Sequence, residues 1–253
     1  MFSSRETKRQ KSNDGSPVVT GSSSRTVSPS DDGVLDISDD KARQEEVDEI
    51  LFNVVWQSSD AEDVEDGLAT LGNFCCYGEE ANSYSHILCQ DQRLSVITGA
   101  MIEWAENPEI LSAACAVITD VLSSKAVDDE TVETTGIMEI VLKAMRKHPD
   151  SQYLQRCGCG ALCSLLFQGR SKERFVTKRD GLTTIAAAIK TLIGNARLQI
   201  SGCGAIIVLS WVPELKDQLI EAGCIVLAAT AFRIHKSTQN DDAVNLKDRA
   251  RQI

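Results

Sequence analysis

The chain has 253 residues, 42% of them hydrophobic and only 5% aromatic, and a net charge of −11. One helical body and a tail account for that composition, with no need of a second, catalytic domain. The amino terminus MFSSRETKRQKS lacks the apolar run of a secretory signal, and the apolar stretches from Cys203 and from Gly223 fall short of the ~18 residues a membrane span requires, so a protein of the cytosol or nucleus without membrane contact is expected.

Residues 1–44 are rich in serine, aspartate and turn formers and hold no aromatic beyond Phe2. Such a segment cannot bury enough apolar area to offset the entropy of ordering, and it reads as a disordered tail. Ser16 and Ser28 precede proline, and Ser30 and Ser38 precede paired aspartates, which makes them candidate kinase sites within a solvated linker. From Glu45 the pattern changes: Val47, Ile50, Leu51, Val54 and Val55 recur at helical spacing and open a folded domain over 45–253.

Within that domain the string GCGA stands at 158–161 and again at 202–205, inside longer segments that align at an offset of 44 residues. One segment starts at Gly136 and the other at Gly181. A third, from Arg93, aligns Cys115 with Cys159; an earlier one aligns Leu71 with Leu162; and Gly223 opens a partial fifth. The expected units are 45–91, 92–135, 136–180, 181–222 and 223–253. In each, a glycine precedes a short apolar helix, His148-Pro149-Asp150 or Gly194-Asn195 breaks the chain, and a longer helix follows. Leu154, Gly158, Ala161, Leu162 and Leu165 form one stripe of that long helix and are the candidate core. Glycine is a poor helix former, so its recurrence at 158 and 202 implies a neighbouring helix too close for a side chain.

Nine cysteines without a signal peptide read as free thiols buried in apolar helices. Zinc at Cys157, Cys159, Cys163 and His148 fails on geometry, because at 100° per residue Cys157 and Cys159 point about 160° apart on one helix. His86, His148 and His235 fall in no catalytic motif, and no nucleotide loop is present. Neither an enzyme nor a cofactor or metal protein is expected.

The pattern LQxxGCxAL, after a short helix opened by GI or GL and at a period of 42 to 45, resembles armadillo-type repeats over residues 45–253. The resemblance implies an all-α, right-handed solenoid of about four repeats plus a partial fifth. It further implies three-helix units whose third helices line a concave protein-binding groove without catalysis. In the import-receptor branch a tryptophan and, four residues later, an asparagine project from each third helix. Here those positions are Ala69, Ala116, Gly160 and Gly204, and Asn73, Asp120, Ser164 and Val208. Only Asn73 matches, which argues against a receptor for nuclear signals.

Helical geometry places Arg156, Gly160, Cys163 and Phe167 on the outward face of one long helix and Ile200, Gly204, Ile207 and Trp211 on the next. Phe167 and Trp211 would then form an aromatic ledge, and Asn73 and Asp120 would stand in the groove's first half. Residues 31–135 carry a net −21 and residues 136–253 a net +7, so the body is electrically polar from end to end. Arg170, Lys172, Arg174, Lys178 and Arg179 make a basic patch between units; one aromatic and an acidic chain argue against nucleic acid as its partner, and the acidic stretch 31–40 is a candidate internal occupant. The incomplete last unit is either a polar cap or a surface for homo-association. The expected function is a scaffold or adaptor for a protein segment. The alternative is a regulatory subunit docking on an enzyme, with the tail as a phosphorylatable or autoinhibitory switch.

Overall fold

The computed structural model describes residues 37–90, 92–123, 135–168 and 180–235. These residues are all-α, with eleven α-helices, a π-helical stretch, one 3₁₀ turn and no strand among them. The long helices are α2 (Ala61–Cys76), α5 (Pro108–Ser123), α7 (Gln152–Gln168) and α9 (Ala196–Ser210). Ahead of the last three run α4 (Arg93–Glu103), α6 (Ile137–Lys147) and α8 (Asp180–Thr191). Two connecting helices, α3 (Ala81–Cys89) and α10 (Lys216–Glu221), lead into α4 and into α11 (Cys224–His235). The equivalent connections at 124–134 and 169–179 lie outside the described residues, as does the tail over 1–36.

The helical body begins earlier than the apolar periodicity indicates. α1 (Ile37–Asp48) continues into the π-helical stretch Glu49–Val55, so the described helix already runs through 37–44. Its first turns are held by polar links across the sequence: Arg43 donates to Glu80 through Nε at 2.9 Å and Nη2 at 2.6 Å, and Tyr84 Oη donates to Glu46 at 2.8 Å. Val47, Leu51 and Val55, spaced at i, i+4 and i+8, are then buried completely or nearly so. Arg93 closes the same end, because its guanidinium is buried and donates to both Asp48 oxygens, at 2.6 and 2.9 Å.

Contacts between elements run in two rows. α5 packs on α2 and on α7, and α7 packs on α9; on the other side the π-helical stretch touches α4, α4 touches α6, α6 touches α8 and α8 touches α11. One apolar cluster extends from Val47 to Cys224 and includes the whole candidate stripe from Leu154 to Leu165 apart from its glycine, which is itself buried.

The links between rows recur in register. Gln155 Nε2 donates to the carbonyls of Met145 (2.7 Å) and His148 (3.0 Å), while Gln199 Nε2 donates to those of Ile189 (3.0 Å) and Leu192 (3.1 Å); every atom is shifted by 44 residues. Each amide satisfies carbonyls that the end of a short helix leaves open. The long helices start alike, on side-chain caps from Asp60, Asn107, Ser151 and Asn195. His148 donates from Nε2 to the Ala105 carbonyl and His235 to the Ile193 carbonyl, both at 2.9 Å, which ties two short helices to the turn of the preceding unit.

The glycines mark where the rows meet. A Cβ on Gly158 would lie 2.7 Å from Met145 Cγ, one on Gly202 2.7 Å from Ile189 Cγ1, and one on Gly67 2.9 Å from Val54 Cγ1. Substituting Gly202 with alanine therefore drives a methyl into the branched Ile189 side chain, and a net loss of about 1–2 kcal/mol remains after the gain in helix propensity. Gly158→Ala meets the pliable Met145 and stays within about 1 kcal/mol of the parent chain. Urea unfolding followed by circular dichroism measures both, and equal losses would contradict the packing described.

A positive φ opens three short helices, at Gln92 (63°), Gly136 (64°) and Gly223 (70°). Gln92 is the one non-glycine among the described residues in that conformation. Gln92→Gly is expected to raise stability by about 1 kcal/mol in the same assay, since left-handed backbone strains every side chain with a Cβ.

Candidate functional site

The long-helix row carries a cleft of about 450 Å³ that crosses α2, α5, α7 and α9. Small residues at matching heights of successive helices, Ala69, Ala116 and Gly160, form its floor. Gly160 leaves no slack, because an added Cβ would stand 3.3 Å from Thr119 Oγ1 on the adjoining helix. A trough of this kind lets a polypeptide backbone approach the helices closely.

Polar groups line the trough one to two turns beyond Ala69 and Ala116. Asn73 and Cys76 reach it from α2 and Asp120 from α5. Burial pushes the Asp120 carboxyl above its ordinary range, against a hydrogen bond from the Cys76 thiol that pulls it down. Burial likewise raises the Cys76 thiol, and the Asp120 charge raises it further. On α7, the Arg156 guanidinium stacks over Tyr153 with its carbon 4.6 Å from the ring centre.

Phe167 continues the Gly160 face two turns further along α7, and it meets Trp211 edge to face with centroids 6.1 Å apart. The two rings are 58% and 56% exposed. Asn73, Asp120 and Arg156 thus share one cleft, while Phe167 and Trp211 share one ledge.

The remaining expected site residues sit differently. Ile207 is buried, at 4% exposure, and presents no binding surface; Gly204 and Val208 are buried with it. Ile200 is half-buried against Cys203, Ala228 and Ala231. Ile200 is covered in part by α11, which packs on α9, a contact that the periodicity of α9 alone does not reveal. Arg170, Lys172, Arg174, Lys178 and Arg179 lie outside the described residues. Conversely, Glu109, Tyr153 and Arg197 line the cleft without having been singled out. Their 44-residue spacing is the signal that marks them as one register on three successive helices.

All nine cysteines are free. Cys115, Cys159 and Cys203, again 44 residues apart, are completely buried, and burial raises the Cys159 thiol to about 12 and the Cys75 thiol to about 11. Protonated thiols of this kind are poor nucleophiles and poor metal ligands at neutral pH. Among the described residues no three His, Cys, Asp or Glu side chains stand close enough to hold a metal ion, and no single helix is long and apolar enough to cross a membrane. Comparison with family models, curated proteins and solved structures returns no match for the chain.

Cys76 is the one exposed thiol, and its neighbour gives it a signature. A thiol-specific reagent at neutral pH is expected to label Cys76 ahead of the other eight, slowly at first. Asp120→Asn should accelerate that labelling, because removing the adjacent negative charge lowers the thiol's pKa and raises the thiolate fraction. A rate unchanged by Asp120→Asn would separate the two groups.

Proposed function

We propose that residues 37–253 form a right-handed, armadillo-like solenoid of about four repeats with a partial fifth, and that it acts as a non-enzymatic scaffold or adaptor for an extended protein segment. The segment lies across α2, α5, α7 and α9 in the trough, with the Phe167 and Trp211 ledge as an aromatic anchor at its carboxyl-terminal rim. Support for the stacking comes from the 44-residue recurrence of the caps, the glutamine bridges and the glycine contacts. Support for binding comes chiefly from one observation: a carboxylate, Asp120, is held half-buried in the cleft beside small residues, and among the described residues its hydrogen bond comes from the Cys76 thiol rather than from Arg156 in the same cleft. Such a group works against the folded state. Its raised pKa means that the fold is favoured while the carboxyl is protonated and loses that contribution as pH rises through the folded pKa. A residue that opposes folding at neutral pH and faces an open cleft fits a binding role.

Selection of peptides from a random library displayed on phage, against the full chain, tests this directly. Ala116→Arg fills the floor of the trough, and selected peptides should bind it at least about tenfold more weakly than the parent chain. Lys143→Glu, on an exposed position of α6, should leave their affinity unchanged. Peptides indifferent to Ala116→Arg would refute the trough as the binding surface.

A further inference from the structure

The trough is electrically polarised along its length. On α2 and α5 it is lined by Glu65, Glu109 and Asp120, and on α7 and α9 by Arg156 and Arg197. Glu109 and Arg197 occupy one register, with Tyr153 midway between them in sequence. The same polarity runs through the chain, whose net charge changes from −21 over 31–135 to +7 over 136–253. Neighbouring helix axes lie about 8–10 Å apart, so α5 and α9, with α7 between them, are separated by about 16–20 Å. Extended chain covers the step from α5 to α7 in about three residues and the span from α5 to α9 in about five or six.

We infer that the trough takes an extended polypeptide segment of ordered charge, with basic side chains over α2 and α5 and acidic side chains over α7 and α9, about three to six residues apart. This rests on the binding function proposed above and adds to it the chemistry of the partner. Asp120 is the anchor for the basic end, since a charge removed from bulk water interacts more strongly with its counter-ion than a surface charge does. Arg156 serves the acidic end: stacked on Tyr153, its guanidinium is held flat, with its in-plane N–H groups suited to a carboxylate. A uniformly basic segment would set cations against Arg156 and Arg197, and a uniformly acidic one would set carboxylates against Asp120 and Glu109. Both are rejected in one half of the trough, so the order of charges carries the specificity.

Three fluorescein-labelled peptides of about eleven residues, identical in composition, test the inference by fluorescence anisotropy with the full chain. Two carry a lysine pair at one end and a glutamate pair at the other, in the two chain directions, and the third alternates lysine with glutamate. The better of the two block peptides is expected to bind at least about fivefold more tightly than the alternating one, with the advantage shrinking as salt is added. Asp120→Asn combined with Arg156→Gln should remove that advantage while circular dichroism and the melting midpoint show a folded chain. Equal binding of all three peptides, or an advantage that survives the double substitution, overturns the inference. If none of the three binds while library-selected peptides still depend on Ala116, the charge order is wrong and the trough stands; selected peptides indifferent to Ala116→Arg sink the trough itself.

Discussion

Two helices can approach until their side chains collide, and in this protein the collision is removed at one recurring point. Gly67, Gly158 and Gly202 on three long helices face Val54, Met145 and Ile189 at distances that leave no space for even one added carbon. In α5 the position 44 residues before Gly158 is Ala114, itself fully buried. The contact sets the spacing between the two rows, and the glutamine bridges from Gln155 and Gln199 fix how far each long helix slides along its short partner. With spacing and slide both fixed, successive long helices present the same positions at the same height. A cleft that crosses them is the consequence, because small residues at one register line up into a floor.

That floor gives Asp120 its meaning. On a convex surface an aspartate would be fully hydrated and would affect the fold little. Between α2 and α7 its carboxyl is half-enclosed, raised in pKa by desolvation, and hydrogen-bonded, among the described residues, by the Cys76 thiol. Core packing does not call for such a group, since Ala114, Cys115, Val117 and Ile118 on the other faces of α5 already fill the interior. Its energetics make sense if a cation arrives from outside. Arg156 is handled differently, because Tyr153 stacks against it and fixes its orientation without neutralising it.

What was legible in the sequence follows from what is local and periodic. The stripe from Leu154 to Leu165, the breaks at His148-Pro149 and Gly194-Asn195, and the packing role of Gly158 and Gly202 depend on neighbours three to eleven residues away or on a repeat offset, and each appears where the periodicity places it. Features built by distant partners were not legible. The start of α1 at Ile37 depends on Glu80 and Tyr84, which no apolar pattern links to Arg43 or Glu46. The partial burial of Ile200 depends on α11, because the outward face of a helix stops being outward when the chain returns over it. Half of the candidate site was therefore readable as a face, in Asn73, Asp120, Arg156, Phe167 and Trp211. The other half, Glu109, Tyr153 and Arg197, becomes visible only as a register across three helices.

Recognition on the long-helix row is distinguishable from recognition on the short-helix row behind it. Titration of a selected peptide into isotopically labelled protein, followed through backbone amide chemical shifts, maps the contact residue by residue. For recognition on the long-helix row the largest shifts are expected at Ala69, Asn73, Ala116, Asp120 and Gly160. Shifts gathered instead around Ile102, Ile140 and Lys143 on α4 and α6, with the trough silent, would contradict it.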